Sequence, residues 1–302
     1  MDESARPKKP IDPQLQALIA EIRKGSAAML GRLQPGDSLV SSADPNGATP
    51  LMYAALYGNE AVMRVLLDKG ADSKAKSARG ASALHWGIHD IAKVRLLVSR
   101  GCDVNAKTVE GKSPLYLAAS QPGGTETVRL LLDKGADPNV KDIAGRTPLM
   151  AAAVIGNVES IGVLITGGAN VAATTQAGLT ALMEAARYRN APAVKVLIEK
   201  GADVNTRTKR NNTAIGYAAA SGDAGCVKQL LDHGARVDVL DERNYSPLMY
   251  AAYSESMPVE IVRMLLAQGA DTRIEGEGET ALSLAKKRGD TEIVRLIAEK
   301  TK

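Results

Sequence analysis

The sequence predicts an all-α solenoid of stacked antiparallel helix pairs with projecting hairpin turns, and three observations carry that prediction. A Thr or Ser followed by Pro or Ala and an aliphatic residue recurs at Thr49, Ser82, Ser113, Thr147, Thr180, Thr213, Ser246 and Thr280, at spacings of 33, 31, 34, 33, 33, 33 and 34 residues. A glycine closes the same interval each time, at Gly70, Gly101, Gly135, Gly168, Gly201, Gly234 and Gly269. Between these units lie segments such as ADPNVKDIAGRT and ADVNTRTKRNNT, too short and too rich in Asp, Asn and Gly for helix, which read as turns. Self-similarity at such a period means that each unit packs only on its neighbours, so 302 residues count repeats rather than globular domains.

The chain opens with MDESARPKKP, polar and proline-containing, which reads as a disordered arm over 1–10 and lacks the apolar stretch of a signal peptide. Residues 11–43 carry helical spacing at Leu15, Leu18, Ile19 and Ile22, a break at Gly25, and a second short helix with Met29, Leu30 and Leu33. They read as capping helices covering the first repeat's apolar flank. Seven repeats follow over 44–274. In each, the Thr or Ser caps free N–H groups of the first helix, and Pro in the next position is preorganised for its first turn. The closing glycine supplies the left-handed residue that ends the second helix. The second repeat is two residues short, so its turn near His89 and Asp90 must be tight; the third gains a residue at Gln121-Pro122-Gly123-Gly124, and the seventh gains two in YSESMPVE. Residues 275–302 keep Leu284, Ile293 and Ile297 but add Lys286, Lys287, Arg288, Arg295 and Lys300, the polar outer face that a terminal cap requires.

Ankyrin repeats are the family that this chain resembles, in TPLMYAALYGN, TPLMAAAVIGN and SPLMYAAYSES and in the GADPN, GADVN and GADT that follow second helices. The resemblance spans roughly residues 44 to 300. It implies paired helices with a protruding turn and a protein-binding face formed by turn tips and first helices. The family's frequent histidine after the Leu is present only as His85; Met52, Tyr116, Met150, Met183, Gly216, Met249 and Ser283 stand in the matching places. Most interfaces must therefore rely on apolar packing, with Met filling gaps.

By the same resemblance, two sets of side chains escape burial. The turn set includes Arg79, Ala81, Glu110, Lys112, Ile143, Arg146, Arg210, Arg243 and Tyr245; the first-helix set includes Tyr53, Tyr57, Trp86, Leu117, Val154, Ile155, Glu184, Arg187, Tyr188, Tyr217, Tyr250 and Tyr253. Tyr and Trp bury large area while keeping a polar handle, which suits binding hot spots, although the same rings also pad the space between helices. The candidate partner-binding residues are Tyr57, Trp86, Arg187, Tyr188, Arg210, Tyr217, Arg243, Tyr245, Tyr250 and Tyr253. Four of these aromatics come from two adjacent repeats flanked by arginines, which suits a protein or peptide with acidic residues.

Chemistry is sparse. GKS or GKT after a glycine-rich run, CxxC and HExxH do not occur, and His85, His89 and His233 make no metal set, so neither enzyme activity nor a cofactor is expected. The alternative is a repeat-bearing regulatory or docking part of a larger enzyme or exported redox protein. A net charge of +4 over 38 basic and 34 acidic residues is weak ground for nucleic acid, and no apolar run is long enough to span a membrane. Cys226 reads as a core residue, and Cys102 takes a position that is Ala in the other repeats. A monomer is expected, cytoplasmic, or exported or periplasmic if a leader has been removed.

Overall fold

The computed structural model describes residues 10–26, 30–254 and 259–301. The chain divides into two compact units, Met1–Ile143 and Ala144–Lys302. The first contains α1 (Pro13–Arg23), α2 (Ser38–Ser41), α3 (Pro50–Tyr57), α4 (Glu60–Asp68), α5 (Ala83–Trp86), α6 (Ile91–Ser99), α7 (Pro114–Ala119) and α8 (Thr125–Asp133). The second contains α9 (Pro148–Ile155), α10 (Val158–Thr166), α11 (Ala181–Arg187), α12 (Ala191–Glu199), α13 (Ala214–Ser221), α14 (Ala224–Asp232), α15 (Pro247–Tyr253) and α16 (Val259–Ala267), then a short antiparallel hairpin of β1 (Glu275–Gly276) and β2 (Glu279–Thr280), then α17 (Ala281–Arg288) and α18 (Thr291–Thr301).

Each helix pair starts and stops as its sequence requires. The marker hydroxyl accepts the N–H three residues on, as Thr49 does from Met52 at 3.4 Å, Ser113 from Tyr116 at 3.1 Å and Thr180 from Met183 at 3.3 Å. At the other end the residue after each closing glycine donates its N–H back to a leucine carbonyl: Ala71 to Leu66, Cys102 to Leu97, Ala136 to Leu131, Ala169 to Leu164 and Ala235 to Leu230, at 2.9 to 3.2 Å. This six-residue closure needs a left-handed residue at the glycine and a small side chain after it. The same leucines are fully buried, and so are Leu51, Leu84, Leu115 and Leu248 from the first helices, so both units have a leucine ladder as core. Each such leucine contributes roughly 1.5–3 kcal/mol by leaving water.

Leu15, Leu18, Ile19 and Ile22 are buried as expected, with α1 packed on α3. Of the second expected cap helix, Leu30 is buried and Met29 lies outside the described residues; the arm over 1–10 lies outside them too, apart from Pro10. The pattern missed α2, which begins where Asp37 accepts the Leu39 N–H at 2.9 Å. The shortened second repeat keeps only four residues in α5, and Asp90 restarts the chain by capping α6 through Ala92 and Lys93. Pro122 and Gly123 of the third repeat's longer turn are exposed, whereas residues 255–258 of the seventh lie outside the described set.

Successive turns are zipped by one backbone hydrogen bond each. Ala78 donates to Asn46, Val109 to Arg79 and Ile143 to Glu110 in the first unit; Gln176 donates to Ala144, Lys209 to Ala177 and Glu242 to Arg210 in the second, all at 2.7 to 3.0 Å. Close approach of the two backbones demands glycine at the turn: a Cβ on Gly145, already at φ +81°, would lie 2.9 Å from the Gln176 nitrogen. Gly234 has the same φ with nothing within 4 Å of its Cβ. Gly145→Ala is therefore expected to cost more than Gly234→Ala, which carries only the left-handed strain of about 1–2 kcal/mol. Urea denaturation of the two variants checks this, and equal losses would remove the close-approach argument.

Candidate functional site

The side chains of interest lie in two places, where a turn meets the start of a first helix and, for Tyr57, Trp86, Arg187, Tyr188 and Tyr253, at the C-terminal end of one. In the first unit the Asp44 carboxylate is buried and organises its turn. Its Oδ1 accepts the Asn46 and Ala48 N–H groups, both at 2.8 Å, and its Oδ2 accepts the Tyr53 hydroxyl at 2.9 Å. Burial, then the hydrogen bond to Asp44, pushes that hydroxyl up to about 12, so it remains a donor at any physiological pH. Trp86 stands edge-on to Tyr53, centroids 5.7 Å apart, and Tyr57 stacks beside Tyr53 at 6.4 Å with the Arg23 guanidinium 4.7 Å from its own centroid. Tyr57 is half exposed and Trp86 half-buried.

The second unit repeats this arrangement at its seventh-repeat turn. Asp241 Oδ1 accepts the Arg243 and Tyr245 N–H groups at 2.9 and 2.8 Å, and Oδ2 accepts the Tyr250 hydroxyl at 2.5 Å. Here Arg243 completes the cluster: its guanidinium lies 4.7 Å from the Tyr245 centroid and donates to the Tyr250 oxygen at 3.2 Å, with Nε 3.7 Å from Asp241. Tyr217 is half-buried, and both Arg187 and Arg210 act on its hydroxyl, whose pKa is raised mainly by burial. Arg187 sits 5.7 Å from the ring of Tyr188, and Arg288 sits 6.0 Å from the ring of Tyr253. Arg210 faces Glu242 at 3.4 Å.

Thus Arg243, Tyr245 and Tyr250 form one tied cluster, Arg187 and Arg210 both act on Tyr217, and Tyr188 and Tyr253 are exposed. Glu184 is a correction: expected to escape burial, it is 3 % exposed. It lies within α11, in which every residue from Ala181 to Ala186 is buried. Sequence reading missed Asp44, Asp241 and Arg23 as site residues and placed Arg288 only on the polar face of the terminal cap. A signal existed for the first two, since PLMYAA occurs both at Pro50–Ala55 and at Pro247–Ala252, each preceded by an Asp six residues upstream. Both cysteines are free and buried, and burial raises both thiols, that of Cys102 to about 12, so they behave as small core residues.

A family model described as ankyrin repeats, three copies long, matches residues 15–108, 79–142, 115–208 and 205–276. Among solved structures, that of the human ASB11 ankyrin repeat domain is similar, with 25 % sequence identity and a TM-score of 0.66, covering 73 % of this chain and 98 % of that one. No helix among the described residues is long and apolar enough to cross a membrane.

His85 ties neighbouring repeats through both ring nitrogens. The Ser82 N–H donates to Nδ1 at 3.1 Å, so Nδ1 is unprotonated and Nε2 carries the hydrogen that it gives to the Lys112 carbonyl at 3.2 Å. Burial lowers its pKa from 6.5. The unfolded chain therefore takes up a proton below pH 6.5 that the folded chain refuses, and the stability that neutral His85 contributes above that pH is lost as pH falls. His85→Gln should cost about 1–3 kcal/mol at neutral pH. In thermal melts the gap between wild type and variant should narrow steadily below pH 6.5, and a pH-independent gap would contradict the neutral tautomer.

Proposed function

The chain belongs to the ankyrin-repeat family, whose members are generally protein–protein interaction modules, and from that premise we propose that it is a non-enzymatic scaffold binding a protein or peptide with acidic residues through its first helices and turn tips. The observation that carries this reading is the pairing of exposed rings with guanidinium groups: Tyr188 is 50 % and Tyr253 56 % exposed, with Arg187 and Arg288 beside them. Packing within the repeats does not require those rings. Against a partner each would bury apolar area while keeping its hydroxyl wet. Their arginines steer acidic groups and fix register.

The remaining candidates support these two. Arg243, Tyr245 and Tyr250 hold one another through Asp241, which gives the surface a preorganised wall. Arg187 and Arg210 both bring positive charge to Tyr217. In the first unit, Tyr57 and Trp86 offer a second aromatic surface. Tyr250→Ala is a poor probe of binding, because it strips the buried Asp241 of a donor. Arg187→Ala combined with Tyr253→Ala removes only exposed groups. Affinity capture from source lysate should retain partners about tenfold less on this double variant, with the helical circular dichroism unchanged. Equal retention by the variant would remove the strip from the account.

A further inference from the structure

Two turns of this chain are built around the same buried carboxylate, and only one of them has its cation. In the seventh repeat Asp241 holds two turn N–H groups and a tyrosine hydroxyl, and Arg243 closes the arrangement over the Tyr245 ring. In the first repeat Asp44 holds the equivalent N–H groups and Tyr53 hydroxyl, bond for bond. The positions of Arg243 and Tyr245 are there filled by Asn46 and Ala48, and among the described residues no lysine or arginine forms an ion pair with Asp44. Where those two larger side chains would lie is a solvent-open groove of about 470 Å³, lined by Asp44, Asn46, Ala48, Tyr53, Arg79 and Trp86 among others.

We propose that this groove binds the guanidinium of an arginine side chain presented by a partner peptide, in the place that Arg243 occupies in the seventh repeat. A carboxylate accepts about four hydrogen bonds and Asp44 has three, so an acceptor position remains at the groove, next to the lone pairs of the Tyr53 oxygen. Trp86 supplies the aromatic wall that Tyr245 supplies in the other turn. A planar guanidinium suits both, because it stacks on aromatic faces and presents its donors in one plane, which an ammonium does not. Two cations stand near: Arg79 lines the groove, and Arg23 lies over Tyr57 and acts on the Tyr53 hydroxyl. They disfavour a polybasic ligand and favour an arginine with acidic neighbours. This site is independent of the tyrosine strip in the second unit, so either reading can fail alone.

Trp86 is the only tryptophan in the chain, so its fluorescence reports on this groove. The probe is an acetylated, amidated Gly-Glu-Arg-Glu-Gly peptide titrated into the full chain, beside versions with citrulline or lysine in place of arginine. A second measurement follows the anisotropy of the fluorescein-labelled peptide. The arginine peptide should give a saturable response, weaker by about tenfold or more with citrulline and intermediate or weaker with lysine. Asn46→Arg with Ala48→Tyr rebuilds the seventh repeat's turn in the first, and should abolish binding with the melting temperature held or raised. Four results would overturn the proposal: no saturable response in the wild type, an equal response to citrulline, undiminished binding by the rebuilt turn, or a response that emerges only after Arg79→Ala, which would make Arg79 itself the occupant.

Discussion

Neighbouring repeats of this chain complete one another's hydrogen bonding, and those shared bonds set much of the rest. Three such dependencies recur. Turn N–H groups donate to the preceding turn, as Val109 does to Arg79 and Lys209 to Ala177. Carbonyls at the ends of first helices are met by side chains one repeat later: Lys93 reaches Ala55 at 2.9 Å, Asn190 reaches Ala153 and Val154, and Ser221 reaches Ala186. The loops after second helices are bridged by Asn105, which donates to Gly135 and accepts from Asp137, and by Asn205, which does the same with Gly234 and Arg236. Where such a group is buried, as at Lys93, leaving it unmatched costs about 1–3 kcal/mol, comparable to the gain from a core leucine. A repeat alone would meet these groups with water instead, so what it lacks is chiefly the apolar burial that its neighbours provide.

These demands bear on backbone groups rather than on particular side chains, which is why the repeats diverge so freely where recognition happens. The N–H of a tip residue must face the previous turn, but its side chain need not, and it is Val at 109, Ile at 143, Gln at 176 and Lys at 209. Even the close-packed turn glycine has substitutes: Asn211 and Asn244 occupy its place at φ 58° and 61°, since asparagine enters the left-handed region at lower cost than most residues. A buried lysine is tolerated on the same terms. The Lys93 ammonium sits at the C-terminal end of α3, where a helix presents free carbonyls and partial negative charge.

What was legible in the sequence follows from the range of each interaction. Helix starts and stops depend on groups three to six residues apart, so Thr49, Pro50 and Gly70 announce them directly. The inward leucines were legible because a fixed period puts them in register. Ties that cross a repeat were not: nothing near Lys93 or Asn190 in the chain says that its partner lies 38 or 37 residues earlier. The short α2 was hidden because four residues have no periodicity. Glu184 was misplaced because its side was assigned by position in the repeat, and that position, half-buried at Tyr53, Tyr217 and Tyr250, is buried in α11. Tyr250 was legible as an aromatic but not as the donor to Asp241, a role that the duplicated PLMYAA and its upstream Asp reveal only once the first turn is compared with the seventh.

That comparison also separates structural from recognising side chains more sharply than exposure does. Tyr53 and Tyr250 are both half-buried, both hold a carboxylate, and both resist ionisation because burial and that carboxylate raise their hydroxyls to about 12. By exposure and by the bond to the carboxylate they are alike. They differ in what stands beyond the hydroxyl: in one turn Arg243 and Tyr245 fill the space with a cation and a ring from the same repeat, and in the other Asn46 and Ala48 leave it open. A buried carboxylate with a cation beside it is complete, and truncating any member of that set is chiefly an injury to the fold. A buried carboxylate held only by neutral donors is stable yet still attracts positive charge, and a groove beside it gives that charge somewhere to sit. Two substitutions at a turn tip thus convert one arrangement into the other without touching the leucine ladder or the backbone zipper, so a repeat array can gain or lose a site while its architecture stays the same.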